Sequence, residues 1–130
     1  MKWMNKILNK KLTEREYRQK TILDGALKSY SKYGVDGITM DNIAQESDFG
    51  KATIYYYFHS KEDIICSLMQ EGWQNLWESV EEMVIEKISS REKFVKILNK
   101  MAEKVFENKI LYEFLFTIPR HINIPESKAA

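Results

Sequence analysis

No proline occurs in this chain before Pro119, and that single fact restricts its fold more than any other. Proline removes a backbone donor and clashes with the preceding helical turn, so its absence leaves long segments free to be helical. The only other proline is Pro125, and five glycines are spread over 130 residues. Apolar residues recur at helical rather than alternating spacing, which makes an all-α fold the expectation. A chain of this length holds one core, or a small module beside a second.

Along the chain, Tyr17, Ile22, Leu23, Ala26, Leu27 and Tyr30 mark the inner stripe of a first helix from Thr13 to Tyr33, with Gly34 placed to end it in a left-handed cap. A stripe of Trp3, Met4, Ile7, Leu8 and Leu12 allows that helix to begin further upstream. Thr39 is suited to cap a short second helix containing Met40, Ile43 and Ala44. Ser47-Asp48-Phe49-Gly50 breaks the period with turn-forming residues, and a third short helix runs from Lys51 to about Phe58. Ser60 and Asp63 form a capping-box pattern opening a long fourth helix that carries its period to about Ser89. Ser89 and Glu92 repeat that signal before a fifth helix, whose inner face reads Phe94, Ile97, Leu98, Met101, Val105 and Phe106. A sixth segment with Leu111, Phe114, Leu115 and Ile118 stops at Pro119, and the tail from Arg120 has little pattern.

Three short helices with a tight turn between the second and third, followed by a long amphipathic helix, match a helix-turn-helix module joined to a helical body. The boundaries expected are 1–60 for an N-terminal arm and DNA-binding domain, and 61–130 for a helical ligand-binding or dimerisation domain. Charge distribution agrees: residues 1–62 hold 11 basic and 8 acidic side chains, whereas 63–130 hold 9 and 11. A basic N-terminal region suits a phosphate-facing surface, although an amphipathic basic leader also suits a membrane surface or a plain solvated face.

Other classes find no support in the sequence. His59 and His121 lie apart, no phosphate loop or nucleophile elbow occurs, and the chain reads as no enzyme, with no cofactor or metal called for. Cys66 stands alone among Ile64, Ile65 and Leu68, so it reads as a buried thiol in a reducing compartment. No apolar run reaches the roughly 20 residues of a membrane span, and a cytoplasmic protein without stable membrane association is expected.

The residues Ile38-Thr39-Met40-Asp41-Asn42-Ile43-Ala44, Gly50-Lys51-Ala52-Thr53-Ile54-Tyr55-Tyr56-Tyr57-Phe58 and Ser60-Lys61-Glu62-Asp63-Ile64 occur in that order. Together they closely resemble the N-terminal domain of the TetR family, over about Thr13 to Ile64. In that family a hydroxyl-capped second helix, an aromatic-rich third helix and a Lys-Glu opening the fourth stand at this spacing. The resemblance implies a ligand-responsive repressor that binds a pseudo-palindromic double-stranded operator as a homodimer. A small apolar effector in the helical body would swing the fourth helix and change the spacing of the two reading heads.

The roles follow from helix geometry. A third helix lying in the major groove must turn its exposed face to bases and phosphates. On a 3.6-residue period Ile54 and Phe58 share a core side, which leaves Lys51, Ala52, Thr53, Tyr55, Tyr56 and Tyr57 on the other side or its edges. The resemblance makes Tyr55 and Tyr57 phosphate ligands and Tyr56 a groove contact, while packing of the tyrosines within the module is the competing reading. Thr39 and Lys61 begin the second and fourth helices, where free amides attract phosphate; simple capping and simple solvation are the alternatives.

Two departures from the family stand out. Its turn usually reads Ala-Gly-Val-Ser, and Gly50 here replaces a hydroxyl cap while Asp48 adds negative charge. The resemblance also implies late helices that pair two subunits, so the 61–130 half reads as truncated; a protein acting through heterodimerisation, without operator binding of its own, is the alternative. Met69, Trp73, Trp77, Met101, Phe106 and Phe114, with Phe116, either line an apolar ligand pocket or form ordinary core.

Overall fold

The computed structural model describes residues 13–121 of the chain, and the upstream stripe from Trp3 to Leu12 lies outside them. Helix α1, Glu14–Tyr33, starts on a reciprocal cap. The Thr13 hydroxyl accepts from the Glu16 amide at 3.2 Å, and the Glu16 carboxylate accepts from the Thr13 amide at 3.3 Å. Both satisfy donors that a helix start leaves unpaired. The helix ends at Gly34, whose amide donates to the Tyr30 carbonyl at 2.8 Å. Gly34 has φ 78° and ψ −167°. That is the extended region of positive φ, essentially reserved for glycine, rather than the left-handed helical cap expected. Burial on α1 begins at Ile22, so Tyr17 stands 63% exposed instead of joining the core.

A short 3₁₀ turn, Val35–Gly37, leads to α2, Met40–Ser47, and then α3, Lys51–Tyr57. Helix α2 packs on α1 and α3 packs on α2. Ile22, Ala26, Tyr30, Ile38, Ile43, Ile54 and Phe58 are the buried apolar residues of this unit. Ser29 and Ser47, also buried, donate to the Gly25 and Ile43 carbonyls of their own helices at 3.0 and 2.6 Å. These internal bonds satisfy hydroxyls that would otherwise be costly to bury.

Helix α4, Lys61–Val84, is followed by α5, Ser90–Glu107, α6, Lys109–Thr117, and a 3₁₀ turn, Ile118–Arg120. Two compact units divide between Lys61 and Glu62. The described residues are helical with no strand, an all-α fold as expected. Helix α4 stops at Val84 although its apolar period runs on to Ile88. Lys93, from the next helix, donates to the Val84 carbonyl at 2.8 Å and so completes the helix end from outside. In the second unit Leu76, Val80, Leu111, Tyr112, Phe114, Leu115 and Ile118 are buried. Tyr112 donates from its hydroxyl to the Gly72 carbonyl at 3.3 Å, joining α6 to α4. Cys66 is half-buried rather than sealed.

The fifth helix departs most from expectation: none of its residues is buried. Phe94, Leu98 and Phe106, expected on its inner face, are 64%, 49% and 71% exposed. Its covered edge carries Lys93, Lys100 and Lys104 beside Ile97 and Met101. Lys93 donates to the Val84 carbonyl, and a Lys96–Glu86 ion pair at 2.9 Å links the helix to the preceding segment.

Candidate nucleic-acid interface

The first unit sets its third helix by local chemistry. Thr39 caps α2, its hydroxyl accepting from the Asn42 amide at 3.1 Å. A hydroxyl holds one proton and two lone pairs, so this cap leaves the Thr39 O–H able to donate outward. Asp48 then takes φ 58° and ψ 34°, the left-handed conformation that the tight turn requires. Its carboxylate side chain makes that conformation tolerable for a residue other than glycine. Gly50 starts α3 without a side-chain cap, as a residue lacking a hydroxyl must.

Ile54 is fully buried and Phe58, at the C-cap of α3, is 7% exposed, so these two anchor the helix. Adjacent helical positions point about 100° apart, which turns the residues between them outward. Tyr56 is 74% exposed and Tyr55 45%. Tyr57 is half-buried, its ring meeting that of Tyr56 edge-on with centroids 5.0 Å apart. Lys51 and Ala52 are exposed, while Thr53, Thr39 and Lys61 are half-buried. None of the three phenol rings is sealed in the core.

Two charged residues outside the expected set join this surface. The Lys51 ammonium lies 2.8 Å from the Asp41 carboxylate, linking the first turns of α3 and α2. That hydrogen bond and charge hold the lysine above its ordinary pKa. Arg18 of α1 is held by a hydrogen bond with Tyr57 and by the Glu14 carboxylate, which together raise its pKa. A guanidinium only donates, so the Tyr57 oxygen accepts and its own proton stays available. The Glu14 and Arg18 spacing is visible in sequence as an i,i+4 pair. The approach of Arg18 to Tyr57 and of Asp41 to Lys51 depends on helix packing, which no local pattern reports.

The six residues expected to line an apolar ligand pocket differ widely in exposure. Phe114 is fully buried and Met69 and Met101 are half-buried, whereas Trp73, Trp77 and Phe106 are exposed by 43%, 52% and 71%. Trp73 meets Phe116 edge-on at 5.9 Å. A groove of about 420 Å³ in the second unit contains none of the six; Asn75, Glu78, Lys100, Lys104, Glu107 and Tyr112 are among its lining. Among the described residues no group of His, Cys, Asp or Glu is arranged to hold a metal, and no helix is long and apolar enough to cross a membrane.

A hydroxyl-capped second helix, a left-handed turn and a third helix with outward phenols form a helix-turn-helix module, the arrangement that in DNA-binding proteins sets one helix in the major groove. Residues 22–68 match the sequence model of the bacterial regulatory proteins of the tetR family. The Fatty acid metabolism regulator protein of Bacillus subtilis is 33% identical over 79 residues, 61% of this chain and 41% of that protein. The biofilm operon icaADBC negative transcriptional regulator IcaR of Staphylococcus aureus is 44% identical over 43 residues, 33% of this chain and 23% of that protein. The chain therefore spans less than half the length of these curated relatives. Among solved structures, the TetR family protein CprB from S. coelicolor A3(2) has the same fold, with a TM-score of 0.75 at 17% identity over 88% of this chain and 58% of that one. Over residues 22–68, the helix-turn-helix module of this chain thus matches the tetR family of bacterial regulatory proteins.

Proposed function

We propose that the chain is a sequence-specific DNA-binding transcriptional regulator, a repressor that reads a pseudo-palindromic operator as a homodimer with α3 in the major groove. The observation that carries this is the outward display of Tyr55 and Tyr56 on a helix anchored by Ile54 and Phe58. The family of the domain and the description of IcaR as a negative regulator support it.

In this reading Tyr55, Tyr57, Thr39 and Lys61 donate to phosphates, while Lys51, Ala52, Thr53 and Tyr56 meet base edges. Selection from random duplexes supplies an operator, and gel-shift titrations on it and on a scrambled duplex test the roles. Tyr55→Phe and Lys61→Ala are expected to weaken both complexes alike. Lys51→Ala and Tyr56→Ala are expected to cost about 1–3 kcal/mol on the operator and to relax its sequence preference. Equal losses on both duplexes from all four variants would remove the assigned roles, and a chain that retards no duplex would remove the DNA reading.

Response to a small molecule is the finer part of the proposal. The groove beside Asn75 and Lys104 is lined by amides, lysines and carboxylates together with Leu111 and Tyr112, which offers a small effector both polar and apolar contacts.

A further inference from the structure

An arginine stands where the buried stripe of α1 calls for one more apolar residue. That stripe runs through Ile22, Ala26 and Tyr30, and one turn before Ile22 the same face carries Arg18, half-buried beside a largely exposed Tyr17. Helix α3 ends in the same manner. Three residues after the fully buried Ile54, Tyr57 sits half-buried at the edge of the core face. The two polar side chains meet at this edge, where the Arg18 guanidinium donates to the Tyr57 phenol oxygen. Its Nη2 also donates to the Glu14 carboxylate at 2.5 Å, and the Tyr56 ring borders Tyr57 from another side, edge-on at 5.0 Å.

We propose that Arg18, which lies on α1 and outside the helix-turn-helix pair, is a positioning residue for DNA binding: by occupying a lone pair of the Tyr57 oxygen it aims the phenol proton outward at a backbone phosphate. The role rests on the regulator reading above, in which Tyr57 donates to phosphate. A free hydroxyl rotates to suit any partner, but one that accepts from a guanidinium finds no acceptor on that side. Its proton is therefore turned away from Arg18 before DNA arrives, and an orientation set in the free protein need not be won on binding. A donor bond from a charged group also polarises the O–H and strengthens the bond it gives in turn. Net charge plays the smaller part, because Glu14 already faces the guanidinium and offsets it. A bond that merely clipped α1 to α3 would serve stability and leave DNA binding by the folded chain untouched.

A double-variant cycle on the full chain separates these roles, by fluorescence anisotropy on an operator selected from random duplexes and on a scrambled duplex. Tyr57→Phe should weaken both complexes about tenfold and Arg18→Met about fivefold, at unchanged circular dichroism. In the Tyr57→Phe chain, Arg18→Met should then change affinity by less than about twofold, because the group it positions is gone. Arg18→Lys, which keeps a charged donor, should recover part of the loss, and the logarithmic salt slope of Arg18→Met should equal that of the wild type. Where methionine disturbs folding, Arg18→Gln takes its place in the cycle, and its effect too should vanish beside Tyr57→Phe. Losses that simply add, or a slope shallower by about 0.9, would make Arg18 a phosphate ligand in its own right and overturn the positioning role. An Arg18→Met chain that binds as tightly as the wild type leaves only the clip, and a Tyr57→Phe chain that does so leaves nothing to position. Either result overturns the inference while the regulator reading stands. A wild-type chain that retards no duplex removes that reading, and the role of Arg18 with it.

Discussion

At the scale of single residues, a few hydrogen bonds hold the reading surface and the core of the helical unit. Thr39 spends its oxygen on the Asn42 amide, so Thr39→Ala should lower stability by about 1 kcal/mol, read as a shifted urea midpoint. Thr39→Ser keeps the cap and should restore most of that stability; a Ser variant as weak as the Ala variant would show that the cap is not what matters. In the second unit, Tyr112 is 3% exposed, and burial raises its phenol above its ordinary value near 10. A phenol whose folded pKa lies above its unfolded one favours folding below the unfolded value, and that preference fades as pH rises through the folded value. Tyr112→Phe should therefore cost about 0.5–1.5 kcal/mol near pH 8, through loss of the bond to Gly72, and less near pH 11. Paired denaturation curves at the two pH values check this, and an equal loss at both would contradict it.

At the scale of helices, packing decides where propensity would mislead. Alanine is the better helix former than glycine by about 1 kcal/mol. A Cβ at Gly72 in α4 would nonetheless lie 2.4 Å from Cδ1 of Leu115, which is itself 1% exposed and has little room to move. Overpacking of this kind costs about 1–3 kcal/mol, so Gly72→Ala should give a net loss of about 1 kcal/mol, and a raised melting temperature would refute the close approach. The same contrast explains what the sequence could disclose. The Thr39 cap, the turn at Ser47-Asp48-Phe49-Gly50 and the inward Ile54 and Phe58 were legible because each depends on residues within one turn of itself. The early stop of α4 at Val84 was not, because the lysine that completes it arrives from the following helix. Periodicity marked an apolar face on α5, but a period reports only that a face exists, not which neighbour covers it. The face that is more covered holds Ile97, Met101 and Val105, while Phe94, Leu98 and Phe106 stay exposed.

For the molecule as a whole, the site rests within the first unit, whose members from Arg18 to Lys61 lie on its side of the division. Net charge over the chain is only +1, so the attraction to DNA that the proposed function requires must come from where charges stand rather than from their sum. Lys51 is the sole formal charge on α3, and Asp41 already neutralises it. A regulator must find one site among roughly a million or more competitors, and affinity for indifferent sequence slows that search. An ion pair that yields only to a well-placed guanine or phosphate would keep the reading helix quiet on wrong sequence. Asp41→Asn should then tighten binding to scrambled duplex and steepen its logarithmic salt dependence by about 0.9, the share of one further phosphate. Fluorescence anisotropy across a salt series measures it, with an unaltered slope counting against the idea. What looks like a weak surface pair would thus act as a brake on misplaced occupancy, setting how many molecules a cell must keep to hold one promoter shut.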